Sequence, residues 1–250
     1  MEKLYQFVEE NRDRYIKLLV DFCNQPSVSA QNIGIEEMAA LVKSTLDSLG
    51  VSTELLETNG YPIVYGSISG ASERTLTFYN HYDVQPVDPI ELWKTEPFTS
   101  TIIDGKLFAR GSADNKGSML ARICALDAYL KVYGKPPLNI KFIIEGEEEV
   151  GSPNLRFFAE NHPEKLKTDG LAWEGSSKNV NGPVQICLGV KGMCSFELHV
   201  TTAKADLHSQ FAAIVPSPVW RLVQALATMK NEKDEILIEG FYDDLKTSSP

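Results

Sequence analysis

The stretch Asn139-Ile-Lys-Phe-Ile-Ile-Glu145, followed at once by Gly146-Glu-Glu-Glu-Val-Gly-Ser152, carries most of the information about the fold. Its unbroken apolar run from Phe142 to Ile144 reads as a buried strand, because a strand covered on both faces needs no polar alternation. Helical signals lie on either side. Upstream, Asn115 to Tyr133 reads as a helix that stops at Gly134, with Pro136-Pro137 just beyond. Downstream, Ser152-Pro153 reads as an N-cap followed by proline at the first helical position. Helix, buried strand and helix in succession predict a strand covered by helices.

The same alternation extends along the chain. Leu4, Phe7, Val8, Tyr15, Leu18, Leu19 and Phe22 recur at helical spacing, which predicts a helix from Glu2 to Cys23, stopped by Pro26. A second helix is expected from Gly34 to Leu49, capped by Gly50. Strands are expected at Val51–Glu57, Ile63–Ile68, Thr75–Asn80, Asp169–Trp173 and Val184–Val190. Ser100–Arg110 reads as a hairpin turning at Asp104-Gly105. The expected fold is α/β, with a mostly parallel sheet flanked by helices. Near Lys191-Gly192 the pattern changes. Met193–Thr202 alternates cleanly, as a strand with one wet face does, and a helix is expected from Pro216 to Met229. Residues 1–190 are thus expected to form one domain, and 191–250 the start of a smaller α+β domain.

Composition narrows the function classes. The 250 residues carry 34 acidic against 24 basic side chains, a net charge of −10, so a phosphate backbone is repelled and nucleic acid is not the expected partner. An apolar share of 43% is that of a globular protein. Cys23, Cys124, Cys187 and Cys194 contain no C-x-x-C pair, and four thiols in a chain this long read as free thiols in a reducing compartment. The first residues lack the apolar core of a secretory signal, and no run is long enough to span a membrane. The expectation is a soluble cytoplasmic protein.

Several short motifs end strands or begin helices, where ligands of α/β proteins gather. His81-Tyr-Asp83 follows the strand ending at Asn80. The imidazole can bind a metal, and Asp83, two residues on, can hold the other ring nitrogen. Taken alone, this is equally a strand-end histidine beside a turn-forming aspartate. Asp114 opens the helix after Gly111-Ser-Ala, and on its own reads best as an N-cap. Glu147, Glu148 and Glu149 form the sharpest signal. Consecutive carboxylates beside a buried strand repel one another unless a cation offsets them, although acidic runs are usually solvated loops. Glu174 follows Leu171-Ala-Trp173, where a solvated loop is the ordinary reading. His208 lies in Asp206-Leu-His-Ser209, and a lone loop histidine is usually just exposed. Together, one histidine and several carboxylates suit zinc, manganese or cobalt better than magnesium or a thiolate-bound structural zinc.

These motifs resemble a known family. His81-Tyr-Asp-Val-Gln-Pro86, Gly111-Ser-Ala-Asp-Asn-Lys-Gly117, Glu148-Glu-Val-Gly-Ser152 and Asp206-Leu-His-Ser209 occur in the order found in the metallopeptidases that include cytosolic dipeptidases, carnosinases, acetylornithine deacetylase, succinyl-diaminopimelate desuccinylase, aminoacylase and the glutamate carboxypeptidases. The first motif looks most like the dipeptidase and carnosinase branch. The resemblance implies a zinc-peptidase-like catalytic domain followed by a lid and dimerisation domain, in a homodimer. It also implies two divalent ions, with zinc expected. His81, Asp114 and Glu174 would hold the first ion and Asp114 and Glu149 the second, while Asp83 would orient His81. Glu148 would be the general base for a metal-activated water that cleaves the amide bond of a dipeptide. His208 would contact the substrate, often in the partner subunit's active site.

Two departures shape the expectation. Glycines usually follow the lid histidine, but Gln210-Phe-Ala-Ala213 stands here. Family members are also longer, and a returning segment supplies a last histidine to the second ion, which neither His162 nor His199 matches. The chain is therefore expected to be the N-terminal part of such an enzyme. N-acyl-amino-acid deacylation is one alternative, and an incomplete, inactive metal-binding fragment is another.

Overall fold

A computed structural model describes residues 1–175, 182, 183, 185, 187, 189 and 192–245. By its internal contacts the chain divides into two units, Met1–Cys187 and Leu188–Pro250. The first contains strands β1 (Ser52–Leu56), β2 (Ile63–Ile68), β3 (Thr75–His81), β4 (Thr101–Ile103), β5 (Lys106–Phe108), β6 (Asn139–Glu145) and β7 (Gly170–Ala172). It also contains helices α1 (Glu2–Glu10), α2 (Arg12–Asn24), α3 (Ile35–Ser48), α4 (Lys116–Tyr133) and α5 (Leu155–Asn161). The second unit contains helix α6 (Pro218–Met229).

Five strands form one sheet in the order β1-β2-β6-β3-β7. β2 is antiparallel to both its neighbours, while β6 and β7 each run parallel to β3. All the strands except β2 thus point the same way, which is the mostly parallel sheet read from the sequence. β4 and β5 make the separate hairpin expected around Asp104-Gly105, with both turn residues at positive φ.

Side chains alternate across β6, and each face acquires its own helices. Ile140, Phe142 and Ile144 join Phe22 of α2, Met38, Val42 and Leu46 of α3, and Met119, Leu120 and Ile123 of α4 in one core. Ile143 faces the other way, with Ile63, Tyr65, Tyr79 and Phe158 of α5. Lys141 interrupts the apolar run without breaking the strand, because its ammonium reaches out to the carbonyls of Lys165 (3.1 Å) and Lys167 (2.7 Å).

Three expectations differ from the structure. The first helix is two helices, broken at Asn11, whose amide donates to Phe7 O at 2.9 Å and competes with the helical bond there. Ser152 does not cap a helix. It takes a left-handed φ of 51°, directly after Gly151 at 88°, and α5 begins only at Leu155. In the second unit, Met193–Thr202 forms no strand, because among the described residues no segment pairs with it. The strand expected at Val184–Val190 falls largely outside the described residues. Helix α6 matches its expected range within two residues, with Ser217 at the N-cap position and Pro218 in its first turn. Among the described residues, no helix is long and apolar enough to cross a membrane.

Phe142 is fully buried where β6 meets α3 and α4. Phe142→Ala should lower stability by about 3–5 kcal/mol, read as a lower urea midpoint with little change in slope.

Candidate metal centre

The three parallel strands run toward the same edge of the sheet, β7 stopping three residues short of β3. His81 closes β3 and pairs in register with Glu145, which closes β6, and β7 ends at Ala172, two residues before Glu174. Whatever follows these strands is therefore delivered to one edge of the sheet. Gly146, just past β6, passes so close to the buried Tyr82 that a Cβ there would lie 2.3 Å from the phenol oxygen. A short 3₁₀ turn, Glu148–Val150, then carries the acidic run across the same edge.

His81 is buried, and its two nitrogens meet different partners. Nδ1 lies 3.1 Å from the Asp83 carbonyl and 3.3 Å from Asp83 Oδ1. Both are acceptors only, so Nδ1 carries a proton. Nε2 faces carboxylate oxygens: Glu174 Oε2 at 3.0 Å, Asp114 Oδ1 at 3.1 Å and Glu148 Oε2 at 3.8 Å. Donor atoms of His81, Glu148 and Glu174 lie within 4.8 Å of one another, as do those of His81, Asp114 and Glu149.

Asp83 is fully buried, and its charge is well satisfied. The Ser29 hydroxyl donates to it at 2.7 Å, the Glu148 N–H at 3.2 Å and the Glu149 N–H at 3.1 Å. One carboxylate thus fixes both the imidazole and the backbone from which Glu148 and Glu149 project. Gln85 donates to Glu149 Oε2 at 2.9 Å. Glu145 accepts from the Tyr79 phenol and, at 2.8 Å, from Ser152, which explains the left-handed turn at that serine.

The remaining carboxylates are only partly offset by the protein. Glu174 Oε2 is buried and receives no hydrogen bond despite its closeness to His81. Burial, then the neighbouring Glu174, pushes Glu148 up to about 7, and burial raises Glu149 as well. Burial opposes the charge on His81, but Asp83 and Glu174 outweigh it and raise the imidazole to about 11. Without an ion, Nε2 therefore carries a proton among these carboxylates, and a divalent cation can take the place of that proton, with the Nε2 lone pair and the carboxylate oxygens as its donors. The donor set of one imidazole and carboxylate oxygens, with no thiolate, fits such an ion.

Residues His81, Asp83, Asp114, Glu148, Glu149 and Glu174, singled out from the sequence, all converge here. His208 lies in the second unit, beside a cavity lined by Asp206, Leu207, Phe211 and Pro216. Its Nδ1 accepts from the Gln210 N–H at 3.2 Å. Ser29 was not among the residues read from the sequence, since a serine in a loop fifty-odd positions before Asp83 carries no signal of what it touches.

The family model of peptidase family M20/M25/M40 matches residues 77–246. The chain belongs to this family. A Cys-Gly metallodipeptidase of Schizosaccharomyces pombe is 32% identical over 274 residues, covering 100% of this chain and 56% of that protein. Among solved structures, an M20 family metallo-carboxypeptidase from Sulfolobus solfataricus is 40% identical with a TM-score of 0.83, covering 94% of this chain and 54% of that one. Human carnosine dipeptidase 1 is 26% identical with a TM-score of 0.74, covering 99% of this chain and 56% of that one. The chain spans about half the length of the relatives it matches.

If the cluster holds a cation, adding zinc(II) should stabilise the chain, and EDTA should reverse the effect. At a free ion concentration of about 100 times Kd the gain is about 2.7 kcal/mol, read as a rise in Tm. Glu174→Ala should remove most of that gain.

Proposed function

We propose that this chain supplies the metal centre of a metal-dependent dipeptidase that hydrolyses the amide bond of dipeptides or other short peptides. The observation that carries the reading is the convergence of Asp114, Glu148 and Glu174 on Nε2 of His81, the ring nitrogen that Asp83 does not engage, with Glu174 Oε2 buried and accepting no hydrogen bond. The names of the relatives, a Cys-Gly metallodipeptidase and a β-Ala-His dipeptidase, support dipeptides over N-acyl amino acids as substrates.

His81, Asp114 and Glu174 would hold one divalent ion, and Asp114 and Glu149 a second. Bound there, the ions would polarise the scissile carbonyl and acidify a water. Asp83 keeps the His81 ring in one orientation and one tautomer. Glu148 would take the proton from the attacking water and return it to the leaving amine. Zinc is the ion we assign, with manganese or cobalt also compatible with imidazole and carboxylate donors. His208 would contact the substrate from the second unit, which would act as lid and dimerisation domain in a homodimer. This part of the reading is supported by the resemblance of Asp206–Ser209 to the family's lid motif. Cys23, Cys124, Cys187 and Cys194 are all free, which supports a cytoplasmic protein.

A second role for Glu148 has an observation in its favour, since its carboxylate lies in one of the two donor groups around His81. Glu148→Gln in the whole protein separates the roles. As the base, it should lower kcat on Cys-Gly or β-Ala-His by at least about 10²-fold while elemental analysis finds the metal content unchanged. Loss of an ion together with activity would make it a ligand instead. Faster cleavage of an N-acetyl amino acid than of any dipeptide would overturn the substrate class.

A further inference from the structure

The ladder joining β3 to β7 is short. It pairs Leu76–Phe78 with Gly170–Ala172 and stops there, yet His81 and Glu174 both lie beyond it. Arg122, in the second turn of α4, bridges the gap. One guanidinium nitrogen donates to Tyr79 O at 2.6 Å and to Asn80 Oδ1 at 2.7 Å, and the other donates to Trp173 O. Asn80 passes the connection on, because with its oxygen accepting from Arg122 its amide nitrogen donates to Asn115 Oδ1. Asn80 and Asn115 are both buried, so these bonds face little competition from water. The guanidinium therefore reaches the residue before His81, the residue before Glu174 and, through one amide, the residue after Asp114.

We infer that Arg122 is a positioning residue for the metal centre, setting the separation of the three side chains proposed to hold the first ion. The planar guanidinium suits the task, since it presents several N–H donors in a fixed fork, where a lysine offers a single flexible ammonium. The Tyr79 and Trp173 rings, stacked with centroids 4.0 Å apart, hold the same two strand ends from the side. The inference rests on the metal-centre reading above. It adds a residue that touches neither ion nor substrate.

The test is zinc(II) affinity, measured by competition with a chelating indicator, together with cobalt(II) absorption as a report of ligand geometry. Urea unfolding is run alongside. Arg122→Met should weaken zinc binding by about 10–100-fold and alter the cobalt spectrum, and Arg122→Lys should fall between it and the wild type. A stapling role for Arg122 alone would lower the unfolding midpoint but leave the affinity of the folded protein and the cobalt spectrum unchanged, and that result overturns the inference. Should Arg122→Met fail to fold, a folded Arg122→Lys with wild-type affinity and spectrum overturns it equally. A wild-type chain that binds neither ion removes the metal-centre reading, and this inference with it. Normal wild-type binding combined with unaffected variants removes the inference alone.

Discussion

Like charges set the terms for this structure. Asp83, Asp114, Glu148, Glu149 and Glu174 gather around one buried imidazole. Two unit charges 4 Å apart interact by about 4 kcal/mol at an effective dielectric of about 20, so several such pairs exceed what a domain of this size has to spare. The protein neutralises only part of the cluster. Asp83 receives a hydroxyl and two backbone N–H groups, and the neighbouring Glu147 receives both its bonds from Asn154. Of the others, Glu149 has one amide donor and Glu174 has a buried oxygen that accepts no hydrogen bond. An arrangement that satisfies the inner acids more fully than the outer ones suits a cation supplied from outside the chain.

The sheet makes that conflict possible at all. Parallel strands end at the same edge, and helices on both faces hold the edge rigid enough for close carboxylates not to spring apart. Helix α4 is tied down at its start, where the Lys116 ammonium donates to the last carbonyls around α2, Phe22 O at 3.0 Å and Gln25 O at 2.6 Å. Burial lowers the pKa of this lysine to about 8, an energetic cost accepted at the helix start that carries Asp114. Packing thus reaches the chemistry through identifiable side chains: Phe142 fixes β6, β6 delivers Glu145 and the acidic turn, and Asp83 takes hold of that turn.

Much of this was legible in the sequence. The apolar run of β6, the helical spacing of Met38, Val42 and Leu46, and the Asp104-Gly105 turn state their local structure directly, because period and turn chemistry are local properties. The candidate ligands were legible for a related reason, as charged residues directly after apolar strands are placed by the strands. What the sequence hid is what depends on partners distant along the chain. Nothing in Ile63–Ile68 shows that β2 runs against its neighbours. Ser152 looks like a cap because the glutamate that claims its hydroxyl, Glu145, is reached only after the chain turns. Met193–Thr202 has the pattern of a strand, but alternation cannot supply the neighbour a strand must bond to. Arg122 reads as one more polar position on a helix, and its acceptors come from two strand ends far apart in the sequence.

The cluster is also graded from dry to wet. The His81 and Asp83 side chains are 1% and 0% exposed, Glu174 is 17% exposed, and Asp114 is 75% exposed. The inner pair can be held by its own hydrogen bonds, which water does not contest. Asp114 cannot be held that way, since an exposed carboxylate is free to change rotamer. Its direction must come from the backbone beneath it, and there Asn115, 1% exposed, is locked to Asn80. Order at the rim is therefore borrowed from the floor. An incoming cation would find the imidazole and the backbone leading to Glu174 already fixed and would need to immobilise mainly the carboxylates, Asp114 above all, so much of the entropic cost of building the site is met in folding rather than in binding.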